Sequence, residues 1–297
     1  MRLRRVGGAL GVMLALTLAG EARAYCRARG CDPNKEECAV ENGCVAMGPE
    51  LRWPDRCVTI NVHGDGSPKN GIDYAAFASV VREAFLSWED LDCGAGRGPS
   101  IHFEVIGPVS CNPERERINV IAFRDDVWPY AGGVDTLGQT LITFDTESGE
   151  IQEVDIEING TEPISLTGSS GNDLTSVITH EAGHFLGLDH STMQGATMEA
   201  RYHAGLATLE ADDVAGVCEI YPPVFLASQA VWTCKFPPDA CAVDEPPSES
   251  PNPPPDPPLC STSPGRSAPS SGTRALPWML SALALLGTRR LRRARAR

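Results

Sequence analysis

The chain has 297 residues, of which 42% are hydrophobic and 22% charged, and a formal net charge of −14. That length holds one sizeable core plus appendages. The charge is segregated: the first 24 residues carry four Arg against one Glu, and residues 259–297 carry eight Arg and no acid, which leaves −25 on the body between them. A body so acidic repels nucleic acid and anionic membrane surfaces, which excludes both as partners of that region.

Arg2, Arg4 and Arg5 precede an apolar run from Val6 to Leu18, and Ala22-Arg23-Ala24 follows. A basic start, a short apolar stretch and an A-x-A site read as a secretory signal peptide over residues 1–24, so the mature chain is expected to begin at Tyr25. Eleven cysteines agree with export: Cys26, Cys31, Cys38, Cys44, Cys57, Cys93, Cys111, Cys218, Cys234, Cys241 and Cys260. None has a metal-binding C-x-x-C spacing, so they read as disulfides. The first ten make an even set and Cys260 is left over. Residues 25–56 hold four of them among Gly, Asn and Asp, and form a Cys-rich N-terminal segment.

Val58 to Val62 alternates apolar and polar residues, the pattern of a strand. Asp73 is placed to cap a helix in which Phe77, Val80, Val81, Phe85 and Trp88 recur at helical spacing. Strands follow at Ile101–Val105, Ile118–Phe123, Leu137–Phe144 and Ile151–Ile158, the last two joined by a turn at Glu147-Ser148-Gly149. Asn172 or Asp173 then caps a second long helix. At 100° per residue, its Leu174, Ile178, Ala182 and Phe185 fall opposite His180 and His184. Thr208 is placed to cap a last helix over Leu209–Tyr221, with Glu210, Asp212 and Asp213 near its positive end. Beyond Pro222 the composition shifts. Cys234 and Cys241 are spaced to close a small loop, and Pro246 to Pro258 reads as an extended linker within residues 223–259.

The chemistry sits in His180-Glu181-Ala182-Gly183-His184-Phe185-Leu186-Gly187-Leu188-Asp189-His190. On a helix, residues four apart share a face, so His180 and His184 direct two imidazoles at one ion. Glu181 is turned about 100° from His180 and reaches a neighbouring water without ligating the ion. Gly187 supplies the left-handed turn that ends the helix and returns the chain, which delivers His190 as a third ligand. Three neutral nitrogens and one open position make a catalytic zinc site.

The stretch His180–Ser191, with Met198 eight residues past His190, resembles the active-site helix and Met-turn of the matrixins, a branch of the metzincin zinc peptidases. The resemblance covers residues 57–222. It implies an α+β fold: a mixed, twisted five-stranded sheet, the active-site helix and two further helices. It makes Met198 the apolar floor beneath the metal, Met193 falling too soon after His190. It also implies hydrolysis of a protein or peptide by a zinc-bound water that Glu181 deprotonates, without a covalent enzyme intermediate. Substrate would lie extended beside Leu137–Phe144, touching Leu137, Gly138, Thr140 and Leu141, with Tyr202 in the specificity wall. The family's Pro-x-Tyr is replaced here by Ala200-Arg201-Tyr202, and Ala200 leaves no tyrosine to act as a fifth ligand. Matrixins usually carry a pro-segment whose free cysteine blocks the zinc. Trp53-Pro54-Asp55-Arg56-Cys57 does not match that switch, because Cys57 runs into a strand and the following Gly is missing.

His63, His102 and His203 lack the local spacing of a second, structural zinc site. Calcium finds no better candidates than the scattered Asp135, Asp145 and Asp155. In the tail, Cys260, the 13-residue apolar run Ala275–Gly287 and the terminal Arg cluster resemble a MYXO-CTERM type of bacterial sorting tag over residues 260–297. That implies a monomeric peptidase domain at the cell surface or outer membrane, or released from it, which meets the membrane only through the tag. The competing reading is a catalytically idle metzincin-fold surface protein with a binding or structural task.

Overall fold

The computed structural model describes residues 24–31, 37–113, 118–130, 136–203, 205–225 and 232–234, together with the backbone of a three-residue strand at Arg293–Arg295. Residues 1–23 of the expected signal peptide, the proline-rich linker, Cys241, Cys260 and the apolar run of the tail lie outside the described residues.

Five strands build the main sheet: β1 (Cys57–His63), β2 (His102–Val109), β3 (Val120–Phe123), β4 (Gly138–Phe144) and β5 (Ile151–Ile158). Their order is β4-β5-β3-β1-β2. β2, β1, β3 and β5 run parallel, and β4 alone is antiparallel to its neighbour. Arg293–Arg295 pairs antiparallel with Leu141–Thr143 on the outer side of β4. The fold is the expected α+β arrangement of a mixed five-stranded sheet with three helices: α1 (Tyr74–Glu89), α2 (Leu174–Phe185) and α3 (Ala211–Ile220).

Each strand is explained by what its two faces bury. On β5, Val154, Ile156 and Ile158 join the core shared with the helices. The alternate residues Glu153, Asp155 and Glu157 are also buried. Buried carboxylates need partners. Asp155 accepts the Val120 N–H at 3.0 Å, and Glu157 takes a two-pronged contact from Arg124 at 2.6 and 2.8 Å. On that side a smaller cluster of Val109, Cys111, Ile118, Val120 and Ala122 closes over the sheet.

The α1 stripe read from the sequence is buried as expected, Phe77, Val81, Phe85 and Trp88 almost completely. Asp73 caps the helix by accepting the Ala76 N–H at 2.8 Å. Trp88 carries the packing into α2, because its indole N–H donates to the Thr179 carbonyl at 2.9 Å. Phe85, Phe103 and Phe185 meet edge-to-face, with centroids 5.1 to 6.1 Å apart, so both helices lock onto one aromatic cluster.

Three expectations need correction. Cys234 does not close a small loop: it bonds Cys57, 177 residues away in sequence. Local spacing suggested the first pairing, but the chain after α3 returns to the start of β1. The last helix is capped by Glu210 rather than Thr208. Asp213 accepts the Glu210 N–H at 2.9 Å, a reach-back that fixes the start there. β2 runs on to Val109, beyond the expected Ile101–Val105. The other described pairs are Cys26–Cys44, Cys31–Cys38 and Cys93–Cys218, and Cys111 is also disulfide-bonded. Disulfides at this density point to an exported chain.

Candidate metal centre

α2 begins at Asp173, whose carboxylate accepts the Thr175 N–H at 3.1 Å and the Ser176 hydroxyl at 2.7 Å. Leu174, Ile178, Ala182 and Phe185 are fully buried on the core side, which turns His180 and His184 the other way. Gly187 has φ +92°, the left-handed turn expected of it. A Cβ there would come within 2.5 Å of the Leu51 carbonyl, so the position excludes side chains on two grounds. The chain then turns back and brings His190 to the same place.

The three imidazoles converge. Ring centroids are 4.8 Å apart for His180–His184 and His184–His190, and 5.3 Å for His180–His190. One ring nitrogen from each lies within 4.8 Å of the others. Two rings have a fixed tautomer. His180 Nδ1 donates to the Thr197 carbonyl at 2.7 Å, and His184 Nδ1 to the Leu188 carbonyl at 2.9 Å. Each then presents Nε2 as a lone pair, the outer-shell pattern that orients metal-binding histidines. Burial, then the neighbouring His180 and His190, holds the His184 pKa well below the usual value. His190 is lowered to about 4 by burial and His180. Imidazoles that stay neutral are the form a cation needs. A donor set of three neutral nitrogens, two of them pinned by backbone carbonyls, fits zinc.

Glu181 lies beside the cluster and is buried. Burial raises its pKa against the opposing pull of His180 and a hydrogen bond from Thr140. That bond is short: Thr140 Oγ1 donates to Glu181 Oε2 at 2.6 Å. Gly138, two residues earlier on β4, makes room for the carboxylate, since a Cβ there would lie 2.5 Å from Glu181 Oε1. Gly138 and Thr140 were expected to touch substrate. The Thr140 side chain turns inward, 1% exposed, and both residues lie against the acid. Leu137 packs partly buried against the core and Leu141 is partly exposed on the edge strand. Tyr202 lies against the start of α2, where its hydroxyl accepts the Asp173 N–H at 2.7 Å.

Met198 is fully buried against α2. A Cβ on Gly183 would overlap its sulfur and come within 3.0 Å of Trp88, so the helix rests directly on Met198. Asp213 fixes this turn. Its carboxylate accepts the N–H groups of Thr197 at 2.9 Å and Met198 at 3.1 Å as well as that of Glu210. Sequence reasoning placed Asp213 only as an acid near a helix start. An acidic residue at the third helical position is the signal that marks it as a capping partner.

The remaining candidates do not converge. His63 contacts Asp65, His102 contacts Glu89 at 2.6 Å, and His203 contacts Glu199 at 2.9 Å, each in a separate place. Asp145 accepts the N–H groups of Glu147 and Ser148 in the β4–β5 turn, Asp155 is the buried acceptor of Val120, and Asp135 lies outside the described residues. Among the described residues, His180, His184 and His190 are the group of three or more that brings metal-binding atoms together.

A sequence profile of the family described as Matrixin matches residues 52–222. Individual relatives agree. The probable matrix metalloproteinase 095L of Invertebrate iridescent virus 3 is 30% identical over 172 residues, 56% of this chain and 43% of that protein. Karilysin of Tannerella forsythia is 30% identical over 159 residues, 52% of this chain and 31% of its own length. Metalloendoproteinase 1-MMP of Arabidopsis thaliana is 34% identical over 104 residues, 33% of this chain and 27% of its own. The matched stretch therefore spans less than half of each of these relatives.

Proposed function

The chain belongs to the matrixin family, and from that premise we propose that it is an exported zinc endopeptidase that hydrolyses peptide bonds in protein or peptide substrates. The observation that carries the proposal is the triad itself: three imidazole nitrogens within 4.8 Å of one another, with a buried carboxylate beside them. His180, His184 and His190 hold the ion, with Met198 as the floor. A zinc ion in that position supplies Lewis acidity, which polarises a carbonyl and makes water acidic near neutral pH.

The remaining work falls to the chain. Glu181 takes the proton of the attacking water on Oε1, while Thr140 holds Oε2. It then returns that proton to the leaving amine nitrogen, so proton and electron pairs balance without a covalent enzyme intermediate. Raising the pKa of Glu181 by burial brings this acid–base group closer to its operating pH. Substrate backbone adds to the edge of β4 along Leu137–Thr140, nearest Glu181 and short of the stretch that Arg293–Arg295 pairs, by strand pairing. Tyr202 lines the neighbouring wall.

The domain plan of this proposal is a signal peptide, the Cys-rich segment, the peptidase domain, the linker and a C-terminal tag that retains the protein at the cell surface. Cys260 belongs to the tag rather than to the disulfide set. Cys260→Ala should leave peptidase activity and disulfides intact while shifting the protein from cells to medium. Loss of a disulfide by mass spectrometry would contradict that assignment. The peptidase reading itself is tested by digesting a peptide library with and without a zinc chelator. Cleavage that stops with chelator and returns with zinc supports it. Stoichiometric zinc without cleavage would favour the idle binding protein.

A further inference from the structure

We propose that residues 25–53 form a permanent half of the metal centre, and that the chain becomes competent without losing them. This rests on reading the triad as a zinc site. A removable pro-segment would be expected to engage the metal-binding groups themselves. Here the hydrogen bonds of His180, His184 and Glu181 go instead to Thr197, Leu188 and Thr140. The lead-in engages the backbone that carries the ligands.

Its contacts run without a break along the end of α2 and the loop that delivers His190. The indole N–H of Trp53 donates to the Phe185 carbonyl at 2.9 Å. The Trp53 N–H in turn donates to the Tyr221 hydroxyl, which donates to the Leu186 carbonyl at 2.9 Å. The Ala28 N–H donates to the Gly187 carbonyl at 2.8 Å. Cys26–Arg27 pairs as an antiparallel strand with Leu188–Asp189. Gly43 approaches Thr192 so closely that a Cβ would meet its methyl at 2.6 Å.

Leu188 links this clamp to the chemistry, because its carbonyl also orients His184. The lead-in therefore holds the third ligand's loop and the carbonyl that aims the second ligand. Cys26, Ala28, Leu51 and Trp53 are all buried. Removing them would strip partners from helix-end carbonyls that have no acceptor role left inside the helix. The segment is braced internally by Cys26–Cys44 and Cys31–Cys38, and Cys57 is committed to Cys234. All five cysteines up to β1 are thus in disulfides, and none offers a thiolate to the zinc.

The test uses the full exported protein. N-terminal sequencing of the zinc-bearing, active species should give a start no later than Cys26. Zinc release to a chromogenic chelator is then followed in Trp53→Phe, which keeps the ring and removes the donor, and in Cys26→Ser/Cys44→Ser. Loss of partners that orient metal ligands should speed release about 10- to 100-fold. A control pair, Cys93→Ser/Cys218→Ser, should lower the melting temperature with release close to the parent rate. An active species that begins after Trp53 would overturn the inference. So would unchanged release in Trp53→Phe, a result available even if the cysteine variant fails to fold. If the parent protein binds no zinc, the reading of the triad fails, and the role of the lead-in is not what has been refuted.

Discussion

The Glu181 carboxylate is held in a place that two small features of β4 create. Thr140 donates to one oxygen and Gly138 leaves space for the other. A hydrogen bond to a charged group is worth about 1.5–3 kcal/mol, or about 10- to 100-fold in rate if it acts in the transition state. Thr140→Val keeps the shape and removes the donor. It should lower kcat by about that factor with KM nearly unchanged, and Thr140→Ser should restore most of the loss. A fully active Val variant would show that Glu181 needs no such support. A crystal structure of the Val variant should also show the Glu181 carboxylate turned from its place. The inward position of Thr140 was available in the sequence: counting back by twos from Phe144 through Ile142 puts Thr140 on the buried face.

At the scale of the element, α2 is the part the sequence describes best. Its periodicity separates the core face from the histidine face, Asp173 starts it and Gly187 ends it. All of these are local signals with one physical cause each. Gly183 was not marked, because its reason is a contact from outside the helix. It lies against Met198 and Trp88 with no room for a Cβ. Ala is the better helix former by about 1 kcal/mol, so propensity alone predicts that Gly183→Ala stabilises. Overpacking typically costs about 1–3 kcal/mol and should win. We expect a lower midpoint of chemical unfolding for Gly183→Ala, whereas a raised midpoint would mean that Met198 gives way freely. The Cys57–Cys234 bond and the hold of Asp213 on Met198 were hidden for the same reason as the role of Gly183. Each depends on where distant segments meet, which no local pattern encodes.

For the whole molecule, the triad links stability to pH once the metal is removed. The unfolded chain protonates its histidines near 6.5. In the fold, His190 resists protonation down to about 4 and His184 is held well below its usual value. Between about 6.5 and 4 the unfolded state therefore binds more protons, and stability falls as pH falls. The buried carboxylates of Glu181, Asp189 and Asp213, raised mainly by burial, act in the opposite direction as they protonate. The comparison is accordingly with His190→Gln, which leaves those acids in place. Metal-free parent protein should lose melting temperature over this window more steeply than His190→Gln, and parallel curves would mean that His190 titrates normally in the fold. The central claim, that three histidines hold a zinc ion while Glu181 moves the proton, is tested most directly by measuring zinc content and turnover together in Glu181→Gln and His184→Ala. Glu181→Gln keeps the volume but cannot accept the proton, so zinc should stay near stoichiometric while turnover drops by at least about 10²- to 10⁴-fold. His184→Ala should lose zinc and activity together. Substantial zinc-dependent turnover in Glu181→Gln, or zinc loss in it as complete as in His184→Ala, would contradict the account.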